Sequence, residues 1–294
     1  MEEELALGRR VRNSLSEDSI PHCLTRVQAS YDIVGDIAIL RLARPSEKSC
    51  QEVADDVMKV HKNVKTVLTQ TSAIHGDFRL RGLRFVAGEN RTITTHKEWG
   101  CLFLVDIEKC YFSPRLSYER MRIARQVKND EVVLNMFAGV GCFSILIAKH
   151  SNVDKVYSVD TNPSAASYMQ KNIRLNRVHG KVSSFLGDAK EIVERNLRHS
   201  ADRVLMPLPE KAFEYLPSAL LALKETGGRV HYYDFEYAKE RHDVVDNVRL
   251  KVSQRLLNLD RISDVSFGRI VRTTGPNWYQ VVLDIEVHEM DRGR

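Results

Sequence analysis

The chain has 294 residues, 43% of them hydrophobic and 28% charged, with a formal net charge of +5. That length allows one large domain or two ordinary ones, and the composition excludes wholesale disorder. No apolar run reaches the roughly 18 residues of a spanning helix, and the N-terminal MEEELALGRRVRNS lacks the apolar core of a secretory signal, so no membrane partner is expected.

The cysteines Cys23, Cys50, Cys101, Cys110 and Cys142 are odd in number and widely spaced, with no C-x-x-C pair. Reduced thiols of a cytoplasmic protein are expected, with no metal site and no disulfide framework. The positive charge is compatible with a polyanionic partner.

Residues 1–30 read as an N-terminal arm without a strong pattern. Tyr31–Leu42 reads as a strand hairpin turning at Gly35-Asp36. Residues 46–62 carry apolar residues at helical spacing, with Ser46 as the N-cap. Strands are expected over Val64–Gln70, Phe78–Ala87, Thr92–Thr95 and Gly100–Ile107. Residues 31–110 then form a small α+β domain.

The pattern changes beyond it, over residues 111–294. Leu116–Gln126 is helical. Short apolar strands at Glu131–Met136, Val156–Asp160, Val182–Leu186, Arg203–Met206 and Gly228–Phe235 alternate with helices at Cys142–Lys149, Asn162–Asn176, Lys190–Leu197, Lys211–Leu223 and Ala238–Asn258. Ile262–Thr273 and Trp278–Val287 close the chain as two strands. The alternation calls for an α/β fold, a mostly parallel sheet covered on both faces.

Val133–Ser144 carries an apolar strand into Gly139-x-Gly141 and then a helix. Glycines suit a backbone that passes close to a ligand, and such sheets bind ligands beyond the carboxyl ends of their strands. The next strand ends in Asp160, placed to accept from ribose hydroxyls; the third leads into Asp188, placed to accept from an adenine amino group. Helix capping is the competing role for both aspartates. A nicotinamide enzyme would show a third glycine where Ser144 stands.

Phe137-Ala-Gly-Val-Gly141 resembles the S-adenosylmethionine-binding turn of class I methyltransferases, whose Rossmann-like sheet ends in an antiparallel hairpin. Further segments resemble the archaeal and eukaryotic tRNA guanine-37 N1-methyltransferase family and the related transferases of wyosine synthesis. They are Phe78-Arg-Leu-Arg81, Ala87-Gly-Glu89 with Thr95-His96, Tyr111–Arg120, Val204–Pro209 and Gly227–Tyr233. The resemblance implies an S-adenosylmethionine-dependent enzyme acting on the anticodon stem-loop of tRNA, and a monomer is expected. It implies that Glu119 is the general base for guanine N1 and that Arg79 is the cation for charge developing on O6, with Arg81 close by. Phe112, Arg115, Phe137, Gly139, Gly141, Asp160, Asp188 and Pro207 would meet the cofactor. Arg81, Pro209, Pro276, Trp278 and Tyr279 would meet the base. His96 and Trp99 are candidates for RNA stacking. Arg79, Arg81, Arg84, Arg91 and Lys97 form a basic cluster for phosphates. A competing role for Glu119 is a solvated helix-face acid paired with Arg122.

Two departures matter. The family has Asp where this chain has Asn135. The family also has Asn-Leu-Pro where this chain has Pro207-Leu208-Pro209, which removes an amide that fixes the guanine. A looser pocket that also admits the tricyclic wyosine precursor is the expected consequence. Rival readings are the aminocarboxypropyl transferase of the same pathway and a non-catalytic RNA-binding protein.

Overall fold

The computed structural model describes residues 29–42 and 46–289. The arm expected over residues 1–30 lies outside them, save for the start of the first strand. The described residues divide into two compact units. One holds those up to His96 with Asp106–Pro114; the other holds Lys97–Val105 and those from Arg115 onward.

In the first unit, β1 (Ala29–Val34) and β2 (Ile37–Leu42) pair antiparallel across Gly35-Asp36. Gly35 has φ +58°, and a Cβ there would lie 2.2 Å from the Thr94 hydroxyl, so only glycine fits the turn. Helix α1 (Glu47–Val60) starts at Ser46, whose hydroxyl accepts from Ser49 N–H while the Ser49 hydroxyl accepts from Ser46 N–H. Its buried face, Val53, Ala54 and Val57, packs with Ala38, Leu40 and Val67. Strand β3 (Thr66–Gln70) returns parallel to β2, and β4 (Leu83–Gly88) pairs antiparallel with β3.

The strand expected over Phe78–Ala87 is shorter than its alternation suggests. Residues 76–79 form a tight turn closed by a bridge between His75 and Leu80, with Gly76 at φ +71° and Arg79 at φ +55°. Arg79 and Arg81 therefore do not share one face of a strand.

Strands β5 (Ile93–Glu98) and β6 (Cys101–Asp106) form a two-stranded sheet turning at Trp99-Gly100, both at positive φ. Although the sequence assigned it to the first domain, Lys97–Val105 clusters with the second unit. The reason is specific: Asn176 and Asn172 accept from and donate to the backbone of Leu102 and Leu104, replacing a missing strand partner.

The second unit continues with α2 (Ser117–Gln126), β7 (Val132–Asn135), α3 (Cys142–His150), β8 (Lys155–Asp160), α4 (Pro163–Leu175), β9 (Val182–Leu186), α5 (Ala189–Ile192), β10 (Arg203–Met206), α6 (Pro209–Ala222), β11 (Gly227–Tyr237), α7 (Asp243–Leu257), β12 (Ser263–Gly275) and β13 (Trp278–His288). The sheet order is β12-β13-β11-β10-β7-β8-β9. β11, β10, β7, β8 and β9 run parallel; β13 is antiparallel to β11 and β12 to β13. This is the α/β sheet with a closing hairpin read from the sequence. The helix expected over Ala238–Asn258 starts later because β11 runs on to Tyr237 against Trp278, and Ala238 N–H bonds Asn277 O. Lys190–Leu197 splits into the short α5 and a π turn over Val193–Leu197.

Candidate active site

Strand β7 lies where the strand order reverses, between β8 and β10. Such switch points leave a crevice at the carboxyl ends of the strands. The chain leaves β7 there through Met136–Gly141. Gly139 has φ +57°, and a Cβ on it would meet no heavy atom within 4 Å. Gly141 has φ +93°, and a Cβ on it would press at 3.1 Å on Ile145 and Met169. The first glycine borders open space; the second serves the packing of α3.

Asp160, at the end of β8, fixes this loop. One carboxylate oxygen accepts from Gly139 N–H at 2.6 Å and the other from Asn162 N–H at 2.9 Å. Burial pushes its pKa up, against the lowering effect of those two N–H groups. Behind the loop, Asn135 Nδ2 donates to Ser144 Oγ at 3.1 Å, and Ser158 donates to the same hydroxyl at 2.7 Å. All three side chains are buried, and the set joins β7, α3 and β8.

Asp188 N-caps α5, accepting from Lys190 N–H at 2.7 Å, and it also accepts from the Tyr215 hydroxyl at 2.5 Å. The capping role weighed against ligand binding is thus present, with carboxylate lone pairs to spare. Phe137 packs edge-on against Tyr215, centroids 5.2 Å apart. An open-sided glycine, two carboxylates at the ends of neighbouring parallel strands and an aromatic wall make a set that fits the adenosine half of S-adenosylmethionine. Pro207 follows β10, and Pro209 opens α6 at a position where a missing N–H costs nothing.

A second cluster surrounds Glu119 on α2. Its side chain is 1% exposed. Arg122 donates to both its oxygens, from Nε at 3.0 Å and Nη2 at 2.8 Å. The Tyr233 hydroxyl donates at 2.7 Å, and Arg269 of β12 completes the shell with an ion pair. The pairing with Arg122 weighed for this acid is present, but on a buried carboxylate and not on a solvated helix face. Burial raises the Glu119 pKa, yet the hydrogen bonds and charges of Arg122 and Arg269 outweigh it and hold the carboxyl below its ordinary range.

Behind Arg122 runs a chain of buried polar groups that the sequence did not disclose. Arg122 Nη1 donates to Asp284 at 2.6 Å, and His231 Nδ1 lies 2.6 Å from the same carboxylate. Arg203 Nη1 lies 2.7 Å from His231 Nε2 and also forks onto Glu131. An arginine can only donate, so Nε2 accepts and the Nδ1–H faces Asp284. Burial lowers the His231 pKa, which keeps the ring neutral. The signal available in sequence was limited to ionisable residues inside apolar strands, Arg203, His231 and Asp284.

The remaining candidates sit as follows. In the first unit, the Arg79 guanidinium lies over the Tyr111 ring, 4.4 Å from its centroid. Arg81 donates to Phe112 O at 3.2 Å, and the buried Phe112 ring packs edge-on against His96 at 5.1 Å. Arg91 is committed to Asp36 and Glu89, so the expected phosphate cluster loses that member. In the second unit, Arg115 lies in the single 3-10 turn before α2. Trp99 donates its indole N–H to Ser117 O at 3.2 Å. Pro276 and Asn277 make the β12–β13 turn; Trp278 stays exposed against Tyr237, while Tyr279 packs on the core. Cys50, Cys101, Cys110 and Cys142 are buried and form no disulfide; Cys23 lies outside the described residues.

Comparison with known proteins follows the same division. The TRM5/TYW2 methyltransferase domain matches residues 94–257, and the TYW2 N-terminal domain matches residues 11–92. The tRNA (guanine(37)-N(1))-methyltransferase Trm5b of Pyrococcus abyssi is 38% identical over 98% of this chain and 84% of its own length. The tRNA 4-demethylwyosine(37)-methyltransferase Taw21 of Saccharolobus solfataricus is 38% identical over 87% of this chain and 93% of its own. A solved complex of aTrm5 with tRNALeu superposes with a TM-score of 0.77 at 35% identity, covering 92% of this chain and 76% of that one.

Proposed function

Because the chain belongs to the TRM5/TYW2 methyltransferase family, we propose that it methylates N1 of guanosine 37 in tRNA, at the anticodon stem-loop. S-adenosylmethionine supplies an electrophilic methyl on a sulfonium. Gly139, Asp160, Asp188 and Phe137 would hold it, with Phe112, Arg115, Gly141 and Pro207 assigned to the same site by resemblance.

Guanine N1 carries a proton and is a poor nucleophile until that proton leaves. Glu119 is the group assigned to take it. A Glu119 oxygen would take the N1–H proton, and the electron pair left on N1 would accept the methyl that bound S-adenosylmethionine supplies. The observation that carries this reading is the buried Glu119 carboxylate, shielded from bulk water and held by the donors of Arg122, Tyr233 and Arg269, on the helix that precedes the cofactor strand. Arg79 is assigned the cation that meets charge on O6, and Arg81, Pro209, Pro276, Trp278 and Tyr279 the contacts to the base. These roles rest on resemblance.

A second reading has its own support. Identity to Taw21 equals that to Trm5b, and Pro207 supplies no amide donor for guanine. Methyl transfer to C7 of the tricyclic wyosine precursor is therefore a parallel activity to test.

The test is to incubate the protein with S-adenosylmethionine and a guanosine-37 tRNA transcript, digest the RNA and weigh its nucleosides. N1-methylguanosine is expected. Unmodified guanosine overturns the reading. The same assay on precursor-bearing tRNA decides whether that base gains a methyl, an aminocarboxypropyl group or nothing.

A further inference from the structure

Glu119 must touch a guanine to deprotonate it, yet its side chain is 1% exposed and all its polar partners within the second unit are donors already bound to it. One of those partners differs from the others. Arg122 is 12% exposed and anchored from behind by Asp284, and Tyr233 is buried. Arg269 is 27% exposed, and its Nε has no hydrogen-bond partner among the described residues. Its guanidinium stacks over the half-exposed Tyr118 ring, 5.2 Å from the centroid.

The strand beneath Arg269 suits a side chain that changes partners. β12 is the edge strand of the sheet, and its register with β13 slips on both sides of Arg269, between Val265 and Phe267 and between Ile270 and Arg272. Bulges of this kind re-aim side chains and weaken local pairing, and they are frequent beside active sites. The same hairpin carries Pro276, Trp278 and Tyr279.

We infer that Arg269 is a substrate-displaced latch on Glu119: its guanidinium leaves the carboxylate for an acceptor oxygen of the entering nucleotide, which opens Glu119 to the N1 proton. The inference rests on Glu119 being the base. The latch protects an otherwise open buried carboxylate in the free enzyme. Its departure removes one cation from Glu119 and so strengthens it as a base when the substrate is in place. The arginine fork suits either oxygen class on a nucleotide, a phosphate or a base carbonyl. Arg269 thus positions Glu119 in the free enzyme and contacts the nucleotide once it enters.

The charged and titratable groups facing Glu119 are Arg122 from α2, Tyr233 from β11 and Arg269 from β12. Asp284 of β13 and His231 of β11 stand behind Arg122. Removing Arg269 leaves the Arg122 fork and the Tyr233 bond, so the carboxylate keeps its orientation and loses a counter-charge.

The test is the pH profile of kcat/KM on a guanosine-37 tRNA transcript for the wild type, Arg269→Ala, Arg269→Lys and Glu119→Gln, with thermal melting of each. The acid limb reports the free-enzyme carboxyl. It is expected to rise by about one pH unit in Arg269→Ala and to return in Arg269→Lys. A limb unmoved in Arg269→Ala, or moved equally in both variants, overturns the latch. Should Arg269→Ala melt early, the limb in Arg269→Lys decides alone: at the wild-type position it supports the latch, displaced by a full unit it overturns it. Full activity in Glu119→Gln sinks the base assignment itself; an inactive Glu119→Gln with an unmoved limb in Arg269→Ala sinks the latch alone. The salt slope of KM separates the acceptors: Arg269→Ala lowers it by about one for a phosphate, and leaves it unchanged with a tenfold or greater loss in kcat for a base carbonyl.

Discussion

His231 Nδ1 lies 2.6 Å from Asp284 Oδ1, and both side chains are buried. Through that bond a neutral imidazole supports the carboxylate that anchors Arg122, and Arg122 in turn holds Glu119. The orientation of the proposed base is thus supported from the paired strands β11 and β13, with Asp284 two contacts from Glu119 and His231 three.

This pair makes stability pH-dependent in a calculable direction. The folded protein keeps His231 neutral by burial, whereas an unfolded histidine protonates near pH 6.5. Below that pH the unfolded chain binds a proton the folded chain refuses, so stability falls as pH falls. Asp284 acts in the same sense lower down: burial raises it, but bonds to His231 and Arg122 win and hold it far below its usual range. Its contribution is complete above about pH 3.9 and is lost below it. Urea unfolding between pH 7 and 5 is expected to show a loss of up to about 1.4 kcal/mol per pH unit from His231. His231→Gln keeps an amide donor and acceptor and should flatten that slope. Equal slopes in the two proteins would refute the assignment.

The two glycines of the loop should separate binding from folding. At Gly139 an added Cβ meets nothing, so Gly139→Ala costs only the left-handed backbone strain, about 1–2 kcal/mol. The methyl projects into the space assigned to the cofactor, and calorimetry should show affinity for S-adenosylmethionine at least about tenfold weaker, worth about 1.4 kcal/mol. At Gly141 the same change presses at 3.1 Å on Ile145 and Met169, adding overpacking on the order of 1 kcal/mol to the strain. Gly141→Ala should therefore melt earlier than Gly139→Ala. The reverse order would mean that the loop is packed differently.

What the sequence disclosed, and what it did not, divides by locality. The loop from β7 to α3, the Ser46 cap, the Gly35-Asp36 turn and Asp160 are written in consecutive residues, because their physics is local. Phe78-Arg-Leu-Arg81 alternates like a strand, but Gly76 and the positive φ of Arg79 close it into a turn. The Arg203–His231–Asp284–Arg122 chain was out of reach because its members come from β10, β11, β13 and α2 and meet only through sheet register. Arg269 was hidden for the same reason, with two bulges added.

Asn135 tests how the chain manages without the family's aspartate. Its amide donates to Ser144 Oγ and its oxygen accepts weakly from Phe137 N–H at 3.4 Å. In Asn135→Asp the Ser144 hydroxyl can turn to donate to the new carboxylate, still accepting from Ser158. The bonds survive, but a charge is buried without a cation. The variant should fold and lose about 1–3 kcal/mol at pH 7. Protonation relieves the burial, so its deficit against the wild type should shrink as pH falls toward 5. A deficit that grows on acidification would show that the carboxylate finds a counter-charge.

Tyr233 offers the most discriminating change at Glu119. Its buried hydroxyl donates at 2.7 Å, and burial together with the adjacent carboxylate pushes its own pKa well above the usual value, so it remains a donor throughout the working range. Tyr233→Phe removes that donor and leaves the Arg122 fork, which fixes the carboxylate by two bonds. If Glu119 acts as a base, it becomes slightly more basic, and its orientation persists. Activity at neutral pH should then fall by less than about tenfold, with the acid limb displaced upward and stability reduced by roughly 0.5–1.5 kcal/mol. Glu119→Gln, by contrast, removes the proton acceptor and should cost about 10²–10⁴ in kcat. Were Tyr233→Phe to lose as much as Glu119→Gln, the phenol would belong in the proton path, and the carboxylate would be its orienting partner.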